Sequence, residues 1–219
     1  MKTIGGCFLF AAICLLLTQP FHVLAASQEE DLLDAVRGGD VKKISELLTK
    51  GVNVNARDAD GFTPLMEASA EGGLEVVKLL VDKGADVNAR NQEGDTALIL
   101  ASYSGHTDLV KLLLEKGADV NATNKEGGSA LLGAAYEGHP DIVKLLLDKG
   151  ANVNAKETRY GATPLIVAAS EGHKDVVDTL LARGAEITAK DGEGNTALTL
   201  ATVGGHAAVV ELLKARGAK

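Results

Sequence analysis

The chain has 219 residues, 46% of them hydrophobic and 24% charged, and a net charge of −8. That balance excludes a disordered polymer, and its sign opposes phosphate backbones and anionic lipid, so no nucleic-acid partner is expected. Aromatics make up only 3%, Trp is absent and there are 25 Gly, so the core must be thin and built from Leu, Val, Ile and Ala.

In chain order the first element is MKTIGGCFLFAAICLLLTQPFHVLAAS. Lys2 precedes an apolar run from Ile4 to Leu17, and small residues follow at Ala25 and Ala26. This layout reads as a signal peptide over 1–26, cut after Ala25 or Ala26. The run is shorter than the ~20 residues that a membrane span needs. A periplasmic or secreted location is therefore expected, with no stable membrane insertion after cleavage; anchoring by an uncleaved segment is the alternative. Cys7 and Cys14 leave with the segment, so residues 27–219 have no disulfide, thiolate nucleophile or cysteine zinc site. Removal of Lys2, the one charged residue of 1–26, takes the net charge from −8 to −9.

Residues 27–57 follow as two helical stretches, DLLDAVRGG and DVKKISELLTKG, with a polar surface suited to the cap of a stack. Five units then superimpose: GFTPLMEASAEGG (61–73), GDTALILASYSGH (94–106), GGSALLGAAYEGH (127–139), GATPLIVAASEGH (161–173) and GNTALTLATVGGH (194–206). Each leads into an apolar-periodic stretch such as TDLVKLLLEKGADVNA. A period near 33 residues is that of a helical solenoid. Thr63 and Thr163 can cap a helix whose first residue is the following proline. Gly84, Gly117, Gly150, Gly184 and Gly217 stand where the second helix must end in a left-handed residue. The units run over 58–90, 91–123, 124–157, 158–190 and 191–219, and KETRYGATPL carries one inserted residue in its turn.

Thr63-Pro64-Leu65, Gly105-His106 and Gly117-Ala118-Asp119-Val120-Asn121-Ala122 recur in register, and through them residues 28–219 resemble the ankyrin-repeat family. One departure is the position after Thr-Pro-Leu. Ankyrins often place His there, whereas this chain has Met66, Ile99, Leu132, Ile166 and Thr199. The resemblance implies an all-α ankyrin-repeat solenoid of paired antiparallel helices with projecting β-hairpin-like turns. It also implies a protein-binding role, and histidines that hydrogen-bond locally to tie down the loop after the first helix.

Chemistry is harder to place. His106, His139, His173 and His206 share one register, about 10 Å apart, too far for neighbours to share a zinc ion. The chain has no Gly-Lys-Ser/Thr cradle and no nucleophile elbow. No catalytic residue, metal or cofactor is expected, and a metal or enzymatic role of the histidines remains the least favoured alternative. Asn121-Ala122-Thr123 is a formal glycosylation sequon but belongs to the repeated loop motif.

The aromatics of residues 27–219 are Phe62, Tyr103, Tyr136 and Tyr160. The resemblance places all four on projecting turns or the inner-helix face, looking onto the concave groove. Tyr offers large contact area at low entropy cost. Around them stand Asp60, Glu71, Glu93, Asp95, Glu126, Glu137, Glu171 and Glu193, with only Lys125 and Arg159 as counter-charges. The expected surface is acidic and fits a protein partner with basic residues. The expected state is a monomer; homotypic stacking of the array ends is the structural alternative.

Overall fold

A computed structural model describes residues 27–219. The proposed signal peptide, 1–26, lies outside the described residues. Twelve helices, six pairs, account for nearly all regular structure among them: α1 (27–37) with α2 (Val41–Thr49), α3 (Pro64–Ala70) with α4 (Leu74–Asp82), and α5 (Ala97–Tyr103) with α6 (Thr107–Glu115). They continue as α7 (Ala130–Glu137) with α8 (Pro140–Asp148), α9 (Pro164–Ser170) with α10 (Lys174–Ala182), and α11 (Ala197–Val203) with α12 (Ala207–Ala215). The chain is an all-α repeat solenoid. From α3 onward the odd helices stack as one row, and the even helices from α2 as a second.

Each inner helix starts on a side-chain cap. The hydroxyls of Thr63, Thr96, Ser129, Thr163 and Thr196 accept the backbone N–H three residues on, satisfying a donor that the helix cannot. Pro64 and Pro164 open their helices where no N–H is required. Between the rows lies a continuous core. Leu65, Leu98, Leu131 and Leu165 come from the inner helices, and Val77, Val110, Val143, Val177, Leu80, Leu113, Leu146 and Leu180 from the outer ones. Ala68, Ala101, Ala134 and Ala168 are buried at the inner-row contacts, where a larger side chain would push successive helices apart.

The turns close on themselves and on each other. Asp58, Asn91, Asn124, Glu157 and Asp191 each accept turn N–H groups through the side chain, as in Asx turns. At Asp191 burial pushes the pKa up, but bonds from Asn195, Glu193 and Gly194 outweigh it and leave the carboxyl below its ordinary value. Successive turns are then joined backbone to backbone, from Gln92 N–H to Asp60 O (3.0 Å), Lys125 N–H to Glu93 O (2.9 Å), Thr158 N–H to Glu126 O (2.8 Å) and Gly192 N–H to Tyr160 O (2.6 Å). Beneath them Asn55, Asn88, Asn121 and Asn154 form a ladder, each Oδ1 accepting an N–H of the next repeat at 2.8–2.9 Å. Asn121 also donates to the Gly150 carbonyl, so the sequon amide is engaged in the ladder.

The histidines bond differently from expectation. Rather than holding their own loop, they reach back one repeat: Nε2–H of His106, His139, His173 and His206 donates to the carbonyls of Ala70, Tyr103, Tyr136 and Ser170 at 2.7–3.1 Å. A carbonyl only accepts, so the contact selects the Nε2–H tautomer. The ring lies over the glycine that follows the previous inner helix. A Cβ on Gly105 or Gly138 would stand 2.7 or 2.5 Å from the next repeat's imidazole.

The last repeat shows how such an array meets water. Where inner repeats bury Ile99, Leu132 and Ile166, it carries exposed Thr199; where they bury Ser102, Ala135 and Ala169, it carries exposed Thr202. Lys214 replaces the column of Val81, Leu114, Leu147 and Leu181. These are polar substitutions on the face that another repeat would cover.

Gly138 and Gly205 separate backbone strain from inter-repeat contact. Both have positive φ, +76° and +72°, but only Gly138 has an imidazole over it. Gly205→Ala should destabilise by about 1 kcal/mol and Gly138→Ala by about 2–4 kcal/mol in urea unfolding. Equal losses would mean that the histidine contact contributes nothing.

Candidate functional site

Neighbouring helices cover only part of each inner helix, so one face of each looks outward beneath the projecting turns. Its residues fall into two columns set by the 33-residue register. The first reads Arg37, Ala70, Tyr103, Tyr136, Ser170 and Val203; the second reads Asp34, Glu67, Leu100, Gly133, Val167 and Leu200. The face is graded. It is ionic at α1–α3, aromatic at α5–α7 and aliphatic at α9–α11.

At the ionic end Arg37 is tied to Glu67 (2.6 Å), Asp58 (3.1 Å) and Asp34 (3.4 Å). The Glu67 bond foremost, then the charges of Glu67, Asp58 and Asp34, raise the guanidinium pKa further and keep it charged. Asp34 and Arg37 were absent from the sequence-based surface because α1 lacks the Thr-Pro-Leu signature, and Glu67 of α3 because only its pairing with Arg37 marks it; Leu32 and Ala35 of α1 nevertheless place Arg37 in the tyrosine column.

In the middle, Tyr103 and Tyr136 are 49% and 47% exposed, with ring centroids 6.2 Å apart and planes 15° from parallel. Their backbone carbonyls hold His139 and His173, so the histidine bonds also fix the spacing of the rings. The neighbouring Glu137 carboxylate, chiefly as an acceptor for the phenol proton, then desolvation and the carboxylate's charge, raise the Tyr103 phenol pKa. Tyr160, 55% exposed, sits in the enlarged turn beneath the Arg159 guanidinium, whose centre is 5.1 Å from the ring. Two adjoining depressions of about 320 and 460 Å³ share Tyr136, Glu157, Tyr160 and Val167 as a common wall.

The other expected residues divide by what their side chains already do. Phe62 is half-buried and packs on the hydrophobic core, so the structure does not bring all four aromatics to one exposed stripe. It stands where later repeats have Asp95, Gly128, Ala162 and Asn195, and the returning arm of the turn folds it inward. Asp95 is half-buried and accepts from the side chain of Asn124 at 2.8 Å, a structural pairing. Asp60, Glu93, Glu126 and Glu193 are exposed in one row of turn tips, which Arg159 joins through its 4.0 Å approach to Glu126. Glu71 and Glu171 are exposed at helix ends, and Glu171 lines the larger depression.

Among the described residues no group of three His, Cys, Asp or Glu side chains is placed to hold a metal ion. Among them, too, no helix is long and apolar enough to cross a membrane. A family model described as ankyrin repeats (3 copies) matches residues 32–124, 117–191 and 161–219. No significant match was found among curated proteins.

Glu137's influence on Tyr103 predicts a titration. Replacing Glu137 by Gln removes both the carboxylate acceptor and its charge, so the Tyr103 pKa should fall toward the ordinary phenol value in an ultraviolet titration of tyrosine absorbance. An unchanged titration would remove Glu137 from the site.

Proposed function

The chain belongs to the ankyrin-repeat family, and from that premise we propose that it is a non-enzymatic scaffold that binds a partner protein through its concave face in the periplasm or secretory space. Ankyrin repeats are in general modules of protein–protein interaction, typically without enzymatic activity. The observation that carries the reading is the pair of parallel, half-exposed tyrosines held at fixed spacing by inter-repeat bonds. Such rings present contact area whose ordering cost has been met on folding. The acids at the turn tips set the partner's charge, so its contact surface is basic.

Export rests on the layout of residues 1–26, with an uncleaved anchor as the variant form of the same proposal. A monomer is favoured over stacked arrays because Thr199, Thr202 and Lys214 make the last repeat's outer face polar.

Affinity capture from the exported-protein fraction, with the Tyr103→Ala/Tyr136→Ala variant as control, tests the binding face. The double variant should weaken partner binding by about tenfold or more while thermal stability changes little. Undiminished capture would remove the groove from the account.

A further inference from the structure

Gly133 lies inside α7, where glycine costs about 1 kcal/mol relative to alanine. Its backbone does not require glycine, because its φ is not positive. A Cβ there would meet Tyr103 at 3.5 Å, an ordinary contact. Its register mates are Leu100, Val167 and Leu200. What the missing side chain changes is space: it opens the smaller depression, walled by Tyr103, Tyr136, Tyr160 and Val167.

The rim of this recess is acidic. Glu126 is exposed above it, and Glu157 lines it with its carboxylate fixed by the N–H groups of Arg159, Tyr160 and Ala162. The one cation in the lining, Arg159, lies over the Tyr160 ring and within 4.0 Å of Glu126. The chain's own guanidinium thus already makes a ring-face contact and a carboxylate contact at the mouth.

We propose that the recess at Gly133 receives an arginine side chain from an extended segment of the partner protein. The inference rests on the concave-face reading above and names the chemistry that the face selects. The guanidinium plane lies on tyrosine faces within the recess while Glu126, an exposed tip residue, turns from Arg159 to the incoming charge. A neutral side chain of the same shape fills the space but leaves both the ring faces and the carboxylate without their complement.

The full chain carries its own reporter. It has three tyrosines and no Trp, and all three tyrosines line this recess. Capped pentapeptides with a central arginine, or its neutral isostere citrulline, in a glycine background serve as probes. The arginine peptide should change tyrosine emission saturably, with a salt-sensitive affinity, and the citrulline peptide should not. Gly133→Leu, which fills the recess with the side chain found at positions 100 and 200, should weaken the arginine peptide by roughly fivefold or more. Gly133→Ala should keep most of the affinity, and thermal melts of both variants should match or exceed that of the parent chain. A citrulline peptide that binds equally well, no saturable response to arginine, or unchanged affinity in Gly133→Leu overturns the proposal. Partner capture separates the two readings. If Gly133→Leu retains the partner and the double tyrosine variant loses it, the groove stands and the arginine recess falls. If neither variant loses the partner, the groove reading itself falls.

Discussion

Everything in this molecule depends on the bonds that pass from one repeat to the next. A single helix pair cannot bury its apolar faces alone, so each unit is stable only against its neighbours. Apolar packing supplies attraction but little registry. Registry comes from directional bonds: the turn-to-turn N–H to carbonyl contacts, the Asn55–Asn154 ladder and the histidines reaching back to the previous inner helix. Together they hold three lines of each repeat, at the turns, beneath them and at the helix ends.

That registry also sets the geometry of the face proposed to bind the partner. Because His139 and His173 grip the carbonyls of Tyr103 and Tyr136, the two rings cannot drift apart without breaking the stack. Residues one period apart in sequence become neighbours along a groove, and the groove reads as a gradient. Arg37 is already saturated by Asp34, Asp58 and Glu67, which leaves the ionic end self-contained. The aromatic and aliphatic stretch from Tyr103 to Val203 is not closed by ion pairs in this way: Tyr103 and Tyr136 stack on each other yet stay about half exposed, and Val203 is 80% exposed. The inserted residue in the fourth projecting turn adds Tyr160 to this stretch, an exposed ring that no other turn supplies.

Much of this was legible in the sequence because its chemistry is local and repeated. Thr-Pro-Leu announces a capped helix start, and a glycine at the end of each Leu-Leu stretch announces a left-handed stop; Gly84, Gly117, Gly150, Gly184 and Gly217 all have φ near +90°. What stayed hidden depends on distances between repeats. Whether His139 holds its own loop or the preceding helix is decided by stacking geometry, which no single unit encodes. Phe62 looked exposed by its place beside a turn glycine, yet the returning chain folds it onto the core. Arg37 could be found only by aligning α1 with repeats whose signature it lacks, and Glu67 only through its pairing with Arg37. Gly133 was visible only as a gap in a column otherwise occupied by side chains, once that column was known to face the groove.

The central claim is that the partner lies on the face made by the inner helices and the turns. Amide hydrogen exchange of the full chain, with and without the captured partner, tests it directly. Added protection should fall on the turns over 124–128 and 157–162 and on α7, leaving the outer helices α6, α8 and α10 unchanged. Protection concentrated on α6, α8 and α10, with the turns unaffected, would contradict the account.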